Sequence, residues 1–355
     1  MKLKIASKKT LANFINLLIK KEDRRLIGPK RKDKENVIFA PISSWDELCL
    51  ANTVTLLPPK QFLFPNGEEL IRFEMEGKEV KRVYSSLELE PQIIIGVRPC
   101  DIHGILHLDK IMNAENADCY YIKRREATLI IGLDCLEPLD DYCNCASFNT
   151  LEVTEGFDLF LTEAKDRYYI RIGSPQGEAL LANCDEIIEA KEEELKELYK
   201  KRSLLFPRHL KLSVEELPAF LASDKVYNHP YWEELGRQCL SCGSCNIVCP
   251  TCYCFDVREE MSLALNTGSK CRYWDGCHLG SFAQVAGGFN FRGKTFERVR
   301  HRMYRKGKYQ VEKYNQVACV GCGRCARACL VNISPVTTYN NLAQSAYIAQ
   351  KGDER

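Results

Sequence analysis

Two stretches of the chain carry four cysteines each in the spacing Cys-x2-Cys-x2-Cys-x3-Cys. They are Cys239, Cys242, Cys245 and Cys249, then Cys319, Cys322, Cys325 and Cys329. In bacterial ferredoxins three cysteines of such a run bind one [4Fe–4S] cluster and the fourth binds the other cluster. This crossed ligation predicts two ligand sets: Cys239, Cys242, Cys245 and Cys329, then Cys319, Cys322, Cys325 and Cys249. We therefore expect a chain that carries electrons.

Two other uses of clustered cysteines fit this pattern less well. Zinc ribbons usually take two separated Cys-x2-Cys pairs, whereas here four cysteines lie in one run and the whole run is repeated. A secreted disulfide framework is disfavoured because the chain shows no signal-peptide pattern. The spacing therefore favours iron–sulfur clusters over zinc and over disulfides.

Four further cysteines suggest a third cluster in the first half of the chain. Cys100 follows the apolar run QIIIGV and Cys135 follows TLIIGL, while Cys143 and Cys145 form a Cys-x-Cys pair. If the two runs are neighbouring parallel strands, Cys100 and Cys135 lie side by side at the edge where such sheets build sites. The alternative, that these cysteines are small buried hydrophobic residues, stays open.

The segments PTCYCF and WDGCHLG contribute another partial set. Cys252, Cys254 and Cys277 could hold a further metal, with Cys271 as a fourth ligand, but three thiols fit a supporting or packing role better. Cys49, Cys119 and Cys184 have no partners by spacing, and we expect them to be structural. We expect no catalytic residue and no nucleotide or flavin motif.

The remaining sequence predicts an α+β protein. Residues 1–200 form a mixed α/β domain with strands at 36–42, 92–97 and 128–133, a hairpin at 157–173 and a charged helix at 191–206. Residues 201–230 form a linker of short helices punctuated by prolines. Residues 231–355 hold both cysteine runs. The 69 residues between Cys249 and Cys319 include MSLALNTG and 296–314, whose apolar spacing favours helix, so an all-helical dicluster ferredoxin-type domain is expected.

Composition limits the remaining possibilities. The 355 residues carry a net charge of only +2, so no global field favours nucleic acid or an anionic membrane. The apolar runs are too short to span a bilayer, and we expect a cytoplasmic protein in an anaerobic setting. The basic segment 292–308 neutralises cluster charge or docks an acidic partner, with a solvated helix as the alternative.

With these residues in place, the chain resembles the beta subunit of soluble hydrogenase/sulfur reductase complexes, a family close to the A-type subunit of anaerobic sulfite reductase. The similarity rests on PPKQFLFP, IIIGVRPCDIHGILHLD, DYCNC, GFDLFL, HPYWEE, CLSCGSCNIVCPTCYC, WDGCHLGSFAQVAGGFNFR and CVGCGRC. One departure is Leu330, where the family has a proline after the fourth cysteine; Pro250 keeps the first run regular.

The resemblance implies an iron–sulfur subunit with two [4Fe–4S] clusters, or three if the first half binds one. Its partners would be a flavin subunit that handles NAD(P)H and a catalytic hydrogenase or sulfur/sulfite-reducing subunit, in a hetero-oligomer. Two alternatives stay open. The chain could be the A-type subunit of an anaerobic sulfite reductase, or a catalytic redox subunit with a small-molecule site at the cysteines of the first half.

Overall fold

The computed structural model describes residues 2–21, 23–50, 54–87, 89–182 and 184–353. Within these ranges the strands are β1 (Leu3–Ser7), β2 (Arg25–Arg31), β3 (Val37–Pro41), β4 (Glu68–Glu76), β5 (Glu79–Ser85), β6 (Gln92–Val97), β7 (Thr128–Leu133), β8 (Leu159–Ala164), β9 (Arg167–Ile172), β10 (Ile188–Glu189), β11 (Phe255–Met261) and β12 (Thr267–Trp274). The helices are α1 (Lys8–Lys20), α2 (Pro99–Met112), α3 (Cys119–Glu126), α4 (Pro175–Leu181), α5 (Glu192–Leu205), α6 (Leu217–Ala222), α7 (Asp224–Tyr227), α8 (Tyr231–Gln238), α9 (Ser244–Ile247), α10 (Thr295–Tyr304), α11 (Gln310–Tyr314), α12 (Arg324–Arg327) and α13 (Pro335–Asp353). Single 3₁₀ turns lie at Trp45–Glu47, Pro59–Phe62 and Cys145–Phe148, and a π-helical turn at Arg305–Tyr309 joins α10 to α11.

The larger sheet has eight strands in the order β10-β1-β9-β8-β7-β6-β2-β3. Its centre, β2-β6-β7-β8, is parallel, and the outer pairs are antiparallel. β6 and β7 are buried along their whole length, as apolar runs with many β-branched residues predict for central parallel strands. The mixed α/β fold of the first half is thus confirmed, together with the strands, hairpin and charged helix predicted there.

Alternate residues of the central strands build two separate cores. Ile93 and Ile95 pack with Phe14 of α1 on one face. Ile94 packs with Leu108 of α2 on the other. Because both faces are covered, the carboxyl ends of β6 and β7 are held side by side between two packed layers. The chain segments that follow these two strands therefore begin at one edge.

The smaller sheet corrects the expectation of an all-helical second domain. It is antiparallel, in the order β11-β12-β4-β5, and β11 and β12 form a hairpin where MSLALNTG was predicted as helix. Leu265, with φ of 55°, lies in the turn. The apolar residues of this segment favour helix locally, but pairing of β12 with β4 from the first half stabilises the strand. Tertiary pairing overrides local preference in this way because strand formation depends on neighbours.

The regular elements in the rest of the second half are helices, separated by turns such as residues 275–294. α10, the π-turn and α11 form one continuous rod, as predicted for residues 296–314. Met303 and Tyr304 of this rod pack with Trp232 and Tyr339 in a third core. The short helices α6 and α7 lie within the predicted linker 201–230, which α5 enters. No helix in the described ranges is both long and apolar enough to cross a membrane.

Candidate metal centres

Each cysteine run turns sharply around its thiols. In the first run Ser241 and Gly243 adopt left-handed φ values of 54° and 74°, and in the second the equivalent Gly321 and Gly323 adopt 65° and 73°. A four-residue helix follows the second left-handed residue of each run: α9 follows Gly243 and α12 follows Gly323. The two runs therefore have the same local backbone, because the same spacing of cysteines and left-handed residues folds the same way twice.

Three thiols of the first run and one of the second line a single cavity, which we name site A (Cys239, Cys242, Cys245 and Cys329). The backbone N–H of Ser241 donates to Cys239 Sγ at 3.5 Å, and the N–H of Ile333 donates to Cys329 Sγ at 3.3 Å. Hydrogen bonds from backbone N–H groups to cysteine sulfur orient and tune thiolate ligands. Cys242 is exposed, so site A lies near the surface.

The remaining four cysteines of the two runs form a second group, site B (Cys249, Cys319, Cys322 and Cys325). The thiol of Cys319 interacts electrostatically with the thiols of the other three. The fourth cysteine of the first run thus lies beside the second run. Burial raises the pKa of the Cys319 thiol, so a thiolate at this position requires a bound metal or another positive charge.

The four cysteines predicted for a third cluster line one cavity, which we name site C (Cys100, Cys135, Cys143 and Cys145). Each is at most 9% exposed. Cys100 and Cys135 follow β6 and β7, which pair in parallel, so the structure brings them together for the reason given from sequence. Burial raises the pKa of the Cys135 thiol to about 12.

A third cavity is lined by Cys252, Cys254 and Cys277, and we name these three cysteines site D. Cys271 does not belong with them: it lies on β12, with its thiol 3.4 Å from Ser269 Oγ. Site D therefore brings together three of the four cysteines that the sequence suggested for a further metal.

The other three cysteines differ in position. Cys49 lines the cavity of site C, a placement that spacing did not indicate. Cys119 is exposed at the start of α3, and Cys184 is half-buried. The structural role expected for these three residues stays a prediction.

Sequence reasoning considered the basic segment 292–308 as a whole but did not identify the three of its positive charges that are buried among the sites. Arg298, Arg302 and Lys306 are at most 7% exposed. They recur every fourth residue, which places them on one face of the α10 rod. Arg302 interacts with cysteines of sites A, B and D, and Lys306 with cysteines of sites B and D. The four-residue spacing was the available signal, and it supports the charge-neutralising role considered for segment 292–308.

A buried ion pair joins the second run to the larger sheet. The Arg324 guanidinium donates to both carboxylate oxygens of Asp101, at 2.5 and 2.8 Å. Both side chains are at most 4% exposed. Asp101 directly follows Cys100 at the start of α2, so the pair links site B to site C. Bidentate arginine–carboxylate pairs combine strength with fixed geometry.

The donor sets fit iron–sulfur clusters better than single metal ions. Sites A, B and C each offer four thiols and no other metal-binding side chain is required. In the described part of the chain, no three His, Cys, Asp or Glu side chains converge closely enough to hold one ion; the thiols of sites A and C surround cavities instead. A cluster with several irons holds its thiolate ligands apart in this way.

Comparison with known proteins identifies the class first. A family model described as a 4Fe-4S dicluster domain matches residues 238–333, which include both cysteine runs. Over 336 residues the chain is 36% identical to "Sulfhydrogenase 2 subunit beta" of Pyrococcus furiosus, a match that covers 93% of this chain and 95% of the relative. The chain therefore belongs to the family of hydrogenase beta iron–sulfur subunits.

One solved structure is also similar. A chain of the F420-reducing [NiFe] hydrogenase complex from Methanosarcina barkeri has 11% sequence identity and a TM-score of 0.35, over 62% of this chain and 93% of that chain.

Proposed function

We propose that this chain relays electrons between a flavin subunit that reacts with NAD(P)H and a catalytic hydrogenase or sulfur/sulfite-reducing subunit. Bound [4Fe–4S] clusters would each accept and release one electron. The cysteines of sites A and B would hold two of these clusters by crossed ligation. The cysteines of site C would hold a third.

One observation carries this proposal: sites A, B and C follow one another through the molecule. Cys245 of site A and Cys325 of site B are electrostatic neighbours. Cys322 of site B lies beside Cys100 of site C. A continuous series of thiol groups from the exposed Cys242 to the edge of the larger sheet is what a relay with one partner at each end requires.

The protein residues around the series have a definite role. Arg302 and Lys306 place positive charge next to the thiols, which offsets the negative charge of thiolate-bound clusters. The backbone N–H groups at site A donate to sulfur and so favour the more electron-rich state. Cys249 and Cys322 of site B are buried, which keeps water away from these two thiols. These features set how readily each position accepts an electron.

The relay is tested with the purified chain and its partners under anaerobic conditions. Dithionite should bleach the visible absorption of the isolated chain, whereas NAD(P)H, hydrogen, sulfur and sulfite should be consumed at no measurable rate. Adding the flavin subunit should let NAD(P)H reduce the chain, and the catalytic subunit should then complete turnover. Turnover of any of these substrates by the isolated, flavin-free chain would contradict the relay and favour a catalytic site at the cysteines of the first half.

A further inference from the structure

Site D is not part of the relay series, yet several positively charged side chains surround it. Its three thiols share a cavity with the side chains of Arg302, Arg305 and Lys306. Arg302 is 2% exposed and Lys306 is 5% exposed. The Lys60 ammonium, also 2% exposed, donates to the carbonyl of Cys252 at 2.7 Å. Four positive groups therefore surround three cysteines in the protein interior.

The ionisable groups beside these charges are mainly cysteine sulfurs, together with the Tyr253 hydroxyl, to which Arg305 donates. Arg305 interacts with Cys254 and Cys277, and Lys306 with Cys252 and with Cys249 of site B. A buried cation is unfavourable unless it is paired with a negative group. Cysteines supply that charge only as thiolates, and thiolates in such a cavity are stabilised when they bind metal. The excess of buried positive charge therefore indicates an anionic, metal-containing occupant.

The hydrogen bonds at site D point to the same occupant. One amide group, Asn246 Nδ2, donates to Cys277 Sγ at 3.4 Å and to Cys252 Sγ at 3.7 Å. An amide that donates to two sulfurs resembles the N–H···S bonds at cluster ligands. Gln310 and Arg302 also line the cavity, and each keeps one buried polar atom, Gln310 Oε1 and Arg302 Nε, that finds no partner among the described residues.

The arrangement also limits the nuclearity of the occupant. The three thiols line the walls of a cavity, and they do not converge closely enough to bind one ion. Cys271, the sequence candidate for a fourth ligand, is held on β12 away from the cavity. A cluster of several irons suits thiols that stand apart, and with three cysteines one iron must take another ligand.

We propose that site D binds a further [4Fe–4S] cluster through Cys252, Cys254 and Cys277, with one iron that has no cysteine ligand. The buried cations balance the charge of this cluster. The proposal does not depend on the direction or partners of the relay. Because the backbone N–H of Cys252 donates to the carbonyl of Cys249 of site B at 3.4 Å, the cluster would lie next to the relay series, as a side branch from it.

The first test compares iron and sulfide contents of the anaerobically purified full chain. The double variant Cys254→Ser/Cys277→Ser should contain about four irons and four sulfides fewer than the native protein. Cys271→Ser, a buried cysteine on the adjacent hairpin, is the matched control and should keep the native content. An unchanged iron content in the double variant, or a loss of zinc in place of iron, would overturn the proposal.

The second test uses the native protein and therefore does not depend on how the variants fold. Ferricyanide should take one electron from the cluster at site D while one Fe²⁺ leaves, because the iron without a cysteine ligand is the most weakly held. The product is a [3Fe–4S] cluster, whose EPR signal should appear in the native protein and in Cys271→Ser and be absent from the double variant. No three-iron signal in the native protein would overturn the proposal, whereas failure of the relay would appear separately, as turnover by the isolated chain.

Discussion

The two cysteine runs share one backbone conformation but occupy different surroundings. In the first run, Ser244 and Ile247 of α9 lie at the positions of Arg324 and Arg327 of α12. Arg324 pairs with Asp101, and Arg327 pairs with Asp140. The second run is thus anchored to the first half of the chain by charge pairs that the first run lacks.

The glycines of the two runs show the same contrast. A Cβ atom on Gly323 would lie 2.4 Å from the carbonyl oxygen of Tyr142, whereas a Cβ on the equivalent Gly243 would meet only the side chain of Leu279, at 3.0 Å. The spacing of a motif therefore fixes its local turn. What the turn packs against decides how much change each position tolerates, and how exposed the thiols are.

The largest expected effect is the loss of a whole cluster, and it shows which cysteines of the two runs bind the same cluster. Cys249→Ser and Cys325→Ser should each remove about four irons and perturb the same set of signals, because both thiols belong to site B. Cys242→Ser should remove the signals of site A instead. Iron analysis and EPR of dithionite-reduced protein measure this. Crossed ligation would be refuted if Cys249→Ser perturbed the signals that Cys242→Ser removes.

The next effect concerns the charge pairs of the second run. Arg324→Met should destabilise the protein by about 3–5 kcal/mol, because it leaves the Asp101 carboxylate buried without a partner. Arg327→Met is the matched change at a pair that is 23% and 33% exposed, and it should cost about 1 kcal/mol. Anaerobic unfolding monitored by circular dichroism measures both. Equal losses would mean that burial does not distinguish the two pairs.

The two glycines give a smaller difference of the same kind. Gly323→Ala should cost about 2–4 kcal/mol, since a left-handed alanine is strained and its methyl group collides with backbone. Gly243→Ala should cost about 1 kcal/mol, because the strain is similar but the neighbouring side chain can move. The same unfolding measurement applies, and a loss at Gly243 as large as that at Gly323 would contradict the packing difference.

The smallest effect is expected where the second run departs from the family pattern. Leu330 is 85% exposed, whereas Pro250, at the same position after the first run, is buried against Gly104. Leu330→Pro should therefore change stability by less than about 0.5 kcal/mol and leave the iron content unchanged. Loss of iron in this variant would show that the residue after Cys329 affects cluster binding at site A.

The sequence by itself determined the local features. The cysteine spacing predicted the grouping of thiols at sites A and B, because the fourth cysteine of a tight run cannot reach the cavity formed by the first three. The apolar runs at 92–97 and 128–133 predicted adjacent parallel strands, and so the meeting of Cys100 and Cys135. The turn of a cysteine run and the burial of an apolar strand both depend on residues close together in the sequence. Spacing and hydrophobic pattern are therefore enough to predict them. Ligation by these cysteines stays a prediction.

Only the tertiary structure decided the features that join distant segments. Segment 261–268, predicted as helix, became the turn between β11 and β12 because β12 pairs with both β11 and β4. Arg302 and Lys306 are buried counter-charges because thiols from three sites surround them. Arg324 pairs with Asp101, which lies 223 residues away in the sequence. Site D likewise exists because Asn246 and the α10 rod close around cysteines from two loops. Charge pairing and strand pairing act between residues remote in sequence, so neither can be derived from local spacing.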